Sequence, residues 1–184
     1  MRTGKILYAT AVIILMIIIS GCSSENKLLR EKFISGGYKM IVCPVHLLDR
    51  ESSSFDRTLA EMIADYFNEK KISEAEVIDL YPPPNGNWMP DQSEMADESL
   101  GLLIEFVRYH KFPNGTYIFY CEILRGGKNS KIVGIHYYLV DNVGRIAIKG
   151  ILNSHNEEFI KEEPVTNEDC VDALINGFEN KVLQ

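Results

Sequence analysis

The sequence predicts an α/β fold: one single-domain sandwich with element order βαβαβββα, a mixed sheet with helices packed on it. Three observations predict it. Two apolar strand-like runs in the first half are each followed by a segment with helical periodicity, the signature of crossover connections. The second half holds three strand-like runs joined by short turns, then one amphipathic helix. A mature chain of this length fits one domain and can bury most of its unfolded surface without staples.

Residues 38–45, Tyr-Lys-Met-Ile-Val-Cys-Pro-Val, read as a buried strand ending near Pro44. Right-handed crossovers would place it centrally in the sheet. Ser52, Ser53 and Ser54 offer N-caps. After them, Phe55, Leu59, Met62, Ile63, Tyr66 and Phe67 recur at i, i+3, i+4 spacing, which predicts a helix. Residues 76–80 form a short strand, closed by Tyr81-Pro82-Pro83-Pro84-Asn85-Gly86, where prolines and glycine exclude both helix and central strand.

A second helix is predicted over 92–110, with Leu100, Leu103, Ile104 and Val107 as its buried stripe. Residues 116–124, 131–140 and 145–153 follow as strands, joined by Gly126-Gly127-Lys128-Asn129 and Asp141-Asn142-Val143-Gly144, which have hairpin chemistry. In the last strand Ile146, Ile148 and Leu152 alternate with Arg145 and Lys149, the pattern of a sheet with one wet face. The final helix spans 167–183, with Thr166 and Asp169 at capping-box spacing.

Ahead of the domain, Arg2 and Lys5 form a positive start, residues 6–19 an uncharged apolar stretch, and Ser20-Gly21 a small pair before Cys22. This is a secretion signal, and its apolar stretch is shorter than the roughly 20 residues a spanning helix needs. Ile19-Ser20-Gly21-Cys22 resembles the lipobox of bacterial lipoproteins, which implies diacylglycerol on the Cys22 thiol and a mature chain beginning there. The expected organisation is a signal over 1–21, a tether over 22–37 and a globular domain over 38–184. Extended, the tether would lift the domain up to about 50 Å from the membrane. Ser23 after the cysteine, where Asp would signal retention in enterobacterial-type sorting, favours an outer membrane facing the periplasm in a host with two membranes.

The formal charge of −7 becomes two units more negative once Arg2 and Lys5 are removed. That balance excludes nucleic acid, which needs a clustered basic surface, and argues against a second, electrostatic attachment to anionic lipid. With Cys22 lipidated, Cys43, Cys121 and Cys170 remain. An odd number leaves one thiol unpaired. Cys43 and Cys121 lie in apolar strand runs and read as buried thiols in preference to a disulfide, whereas Cys170, near a helix start, is the one placed for reactivity.

The element order, the Ser-rich start of the first helix and the late strand-turn-strand before one amphipathic helix resemble the amino-terminal domain of TolB and its relatives. These include the curli-secretion lipoproteins and the lipoprotein activators of penicillin-binding proteins. The resemblance covers residues 38–183, and Pro44-Val45-His46 stands where relatives carry Pro-Phe. It implies docking on another envelope protein.

No catalytic constellation is legible. There is no G-x-S-x-G elbow and no phosphate loop around Gly36-Gly37 or Gly126-Gly127. His46, His110, His136 and His155 show no metal-ligand spacing, and Glu157, Glu158, Glu162 and Glu163 lack calcium-loop order. The expectation is a non-enzyme without metal or cofactor, a lipid-anchored interaction or assembly module. Tyr81, Trp88 and Met89, aromatic and Met residues on a stiff loop, are its candidate partner contact. The alternative is a receptor for a small ligand or ion serving a transporter. Its crevice would be His46, placed past a strand's carboxyl end, with Ser52 and Ser53. Partner, pathway and oligomeric state are not legible.

Overall fold

The computed structural model describes residues 26–85, 91–126 and 131–183. The described elements are α1 (Lys27–Ile34), β1 (Lys39–Val42), β2 (Val45–Leu48), β3 (Ser53–Asp56), α2 (Arg57–Glu69), β4 (Glu74–Val77), α3 (Gln92–His110), β5 (Thr116–Gly126), β6 (Lys131–Asp141), β7 (Ile146–Asn153), α4 (Glu157–Glu162) and α5 (Asn167–Leu183). The predicted mixed α/β sandwich is what forms, with seven strands in one sheet.

The strand predicted over 38–45 is two strands laid end to end along one side of β5. β1 pairs in parallel with residues 116–119 and β2 with residues 122–124. Pro44 has no N–H to give, so the ladder breaks at Cys43-Pro44. β1 is an interior strand, between β5 and the edge strand β4. β6 and β7 continue the sheet antiparallel on the other side of β5.

β3 is a correction. Ser53 and Ser54 pair with β2 instead of capping a helix, and Phe55 lies opposite His46. The N-cap of α2 is Asp56, whose side chain accepts the Leu59 amide at 3.2 Å. The ends of α3 and α5 fall where the periodicity places them, and the capping box forms: Thr166 Oγ1 accepts the Asp169 amide at 3.1 Å, while Asp169 accepts that of Thr166 at 2.8 Å.

Two large apolar clusters sandwich the sheet, and Leu48, Met95 and Leu124 form a small third one. On one face α1, α2, α4 and α5 pack against Met40, Val42, Tyr117, Phe119 and Tyr137. On the other, α3 alone covers Ile118, Tyr120, Tyr138 and Val140. The alternation expected of β7 holds in part: Lys149, Ile151 and Asn153 are half-buried on one face while Ile148, Gly150 and Leu152 are buried on the other. A register shift opposite Leu139 and Val140 turns Ile146 to the α3 side while Ile148 and Leu152 face the other cluster, and Lys149 reaches Asp97 at 2.6 Å.

The segment read as tether contains α1, whose Leu29 and Phe33 belong to the core. Phe33 is fully buried among Phe67, Tyr117 and Phe178, with ring centroids 5.0 to 6.5 Å away. Burying such a side chain contributes about 1.5–3 kcal/mol. The Asn26 amide donates to the Ile146 carbonyl at 2.8 Å, so the chain is already tied to the sheet at Asn26. The acidic run over 157–163 is likewise no open loop: α4 docks on α5 through Phe159 and through Glu162 and Glu158, which accept from Asn176 and Asn180.

Candidate functional site

The strongest chemical constellation lies inside the sheet. His46 on β2, Glu122 on β5 and His136 on β6 are direct register partners, so three adjacent strands set their side chains in one row. Strand alternation places the row on the α3 face, in line with Tyr120 and Tyr138. All three residues are fully buried. His46 Nδ1 stands 3.2 Å from Glu122 Oε1, and His136 Nδ1 stands 3.6 Å from Oε2.

Aromatic and polar walls close the row. Phe55 stacks on His46 at 4.9 Å, and Tyr81 meets Phe55 edge-on at 5.1 Å. Tyr120 donates its hydroxyl to Glu122 Oε1 at 3.3 Å, and Tyr138 donates to the Ala96 carbonyl of α3 at 3.0 Å. Asn85 and Ser99, both buried, add a polar pair at 3.5 Å between the 81–85 segment and α3.

Burial pushes the Glu122 carboxyl up, but the imidazoles of His136 and His46 outweigh it and hold the group near a pKa of about 2. Glu122 is therefore ionised at neutral pH. An ionised carboxylate only accepts, so His46 carries its proton on Nδ1. Burial, reinforced by the Glu122 charge, raises Tyr120 and Tyr138 well above their ordinary range, so both hydroxyls stay protonated donors. His46 Nε2 and both ring nitrogens of His136 have no hydrogen-bond partner among the described residues. The arrangement can hold a buried negative charge and share a proton between side chains.

Among the described residues no group of His, Cys, Asp or Glu has the arrangement to hold a metal ion. Each imidazole addresses a different oxygen of one carboxylate, so the nitrogens do not converge on a shared centre.

The residues singled out from sequence separate. His46 does not lie past a strand end: it sits inside β2, sealed, while Ser52 and Ser53 are exposed at the β2–β3 turn. They share no crevice. Tyr81 is half exposed and leans on Phe55. Cys22, Trp88 and Met89 lie outside the described residues. No helix among the described residues is long and apolar enough to cross a membrane.

Cys43, Cys121 and Cys170 are free and buried. Cys43 belongs to the α3 face and Cys121 to the opposite one, which excludes a bridge between them. Cys170 is not placed for reactivity as its position near a helix start suggests, because it is buried. Burial pushes its thiol up to about 12, and Sγ donates to the Thr166 carbonyl at 3.3 Å.

Glu122 is absent from the sequence reading and His136 enters it only as a histidine without metal-ligand spacing, yet a signal for both exists. Each interrupts an apolar strand run, at Tyr120-Cys121-Glu122-Ile123 and Ile135-His136-Tyr137. A charged residue inside such a run must find a buried partner, and alternation lets the two be matched across a hairpin.

Fold and site together define a three-layer α/β/α domain with a sealed His-Glu-His row across its sheet. No protein-family model, curated protein or solved structure matches the chain.

Proposed function

We propose that this chain is a lipid-anchored cell-envelope protein whose α/β domain is a non-catalytic interaction module. The observation that carries it is Ile19-Ser20-Gly21-Cys22 at the end of an apolar stretch, four residues ahead of Asn26, which is bonded to β7. The main constellation of titratable groups supports the reading, since His46, Glu122 and His136 are sealed beneath α3. The likeness of its element order to the TolB amino-terminal group gives the partner class, another envelope protein. In a host with two membranes the domain faces the periplasm. The receptor alternative is weaker, because His46 and the serines of its crevice are apart.

Tyr81 and the exposed side chains Ile160 and Val165 stand toward the end of the sheet away from Asn26, where a partner can reach them. A photoreactive amino acid at Tyr81 tests the module. In intact cells it should capture one envelope protein, and the same residue pair should crosslink when the two are purified and mixed. Adducts no different from those of a probe at Glu105, on the exposed face of α3, would contradict the reading. So would turnover of an envelope polymer by the pure protein.

A further inference from the structure

The negative overall charge is unevenly placed. β1, β4 and β5 all start at one end of the sheet, here the near end, where β6 also finishes. α2 and α3 terminate there too. The Asn68 side chain bonds both backbone groups of Ala75 at 2.9 Å, and Arg108 Nε donates to the Val143 carbonyl at 3.5 Å. Lys39, Lys70, Lys71, Arg108, Lys111 and Arg145 are all exposed on this end. Its acids are fewer: Glu69, Glu74, Glu31, which Lys27 approaches at 3.8 Å, Glu179, which Lys70 approaches at 3.7 Å, and Asp141, which Arg145 clasps at 2.6 Å. Tyr109 and Val143 add exposed apolar surface, 81% and 48% accessible.

The far end is the reverse. Glu51, Asp91, Glu94, Glu157, Glu163 and Glu168 are exposed there, at the β2–β3 turn and around the starts of α3, α4 and α5, with Arg50, Lys131 and Lys161 among them.

The chain ahead of the folded body decides which end meets the membrane. Asn26 is bonded to Ile146, at the near end of β7. Four residue steps separate it from Cys22, a reach of at most about 14 Å. Asn153, at the other end of β7, lies about 23 Å further along the strand. An anchor at Cys22 therefore holds the basic end within reach of the bilayer and the acidic end away from it.

We infer that the near end, with Lys39, Lys70, Lys71, Arg108, Lys111 and Arg145 around Tyr109 and Val143, is a membrane-facing surface that engages anionic lipid head groups. The inference rests on the proposed lipidation of Cys22. Net charge argues against such an attachment, but a surface meets only the charges within a Debye length, about 8 Å at physiological salt, and the acids of the far end lie beyond it. The anchor keeps the surface at high effective concentration, so weak individual contacts suffice to fix orientation. The distal end, with Tyr81, is then presented outward.

The test uses the full lipidated chain in phosphatidylcholine vesicles, with or without phosphatidylglycerol, containing a nitroxide head-group quencher. Fluorophores are placed at Val143→Cys or Ser154→Cys, the native thiols being buried. Intact mass and flotation report the anchor; quenching reports orientation. The expected result is strong quenching at 143, weak quenching at 154, and a contrast that rises with phosphatidylglycerol and falls with salt. Reversing Lys71 and Lys111 to Glu should lower the membrane-facing population by about tenfold, whereas Glu157→Lys with Glu163→Lys should not. Equal quenching at both positions in a chain that floats overturns the orientation and leaves lipidation standing. Quenching at 143 that ignores lipid charge, salt and the double reversal overturns the head-group contact. A chain without lipid mass that fails to float overturns the anchor itself.

Discussion

Glu122 is a charge held in a place where an isolated carboxylate could not remain ionised. Two imidazoles and the Tyr120 hydroxyl compensate its lost hydration. Removing one member of such a group leaves the others buried and unpaired, at a cost of about 3–5 kcal/mol, while replacing the whole row with apolar side chains of similar volume is close to neutral. Glu122→Leu should therefore lower the urea midpoint more than the triple replacement of His46, Glu122 and His136 by apolar residues. A triple variant much less stable than the single would show that the row supplies something beyond its own compensation. The pH dependence has a definite sign. The folded pKa lies below the ordinary carboxylate value, so the stabilisation from Glu122 is complete above about 4.5 and is lost as pH falls toward about 2. Urea midpoints measured across that window should drop more steeply for the wild type than for Glu122→Gln. At this scale the sequence is half legible. His46 stands out, but its partners are residues whose importance lies in register across β2, β5 and β6, and no local spacing encodes register between distant strands.

At the scale of elements, close packing between β6, β7 and α5 rests on two glycines. Gly150 lies opposite Tyr137, and a Cβ there would stand 1.9 Å from the phenol ring carbon, so the ring fills the space a side chain would take. Gly177 on α5 lets the helix close on Leu152, whose methyls would lie 2.8 Å from an added Cβ but can swing aside. Gly150→Ala should therefore cost about 1–3 kcal/mol or more and clearly more than Gly177→Ala, as read by thermal unfolding of the two variants. Legibility at this scale follows how local the stabilisation is. α3 and α5 carry their own periodicity and caps, Asp91 and the Thr166–Asp169 box, and their ends are right from sequence. α1 is missed because its few apolar residues sit in a polar segment, and the rings that bury Phe33 come from α2, β5 and α5. β3 is missed because Phe55 continues the helical stripe of α2 in sequence, while in the fold it lies over His46.

The whole molecule is polar in two senses: its charges divide between the ends of the sheet, and the chain enters at the basic end. α1 belongs to the folded body, so the tether expected over residues 22–37 is structured from Asn26 on, and an anchor at Cys22, as proposed, would hold the domain close. Composition alone conceals the division of charge, because a net charge averages two opposite surfaces. The account stands on Cys22, and the most direct measurement is the intact mass of the full chain produced in a bacterium that processes lipoproteins, recovered from its membrane and soluble fractions. The expected product is a chain beginning at Cys22, bearing a diacylglycerol mass and confined to membranes, with a Cys22→Ala variant that loses both. A wild-type chain that retains residues 1–21, or is cut without gaining lipid and appears in the soluble fraction, would contradict it.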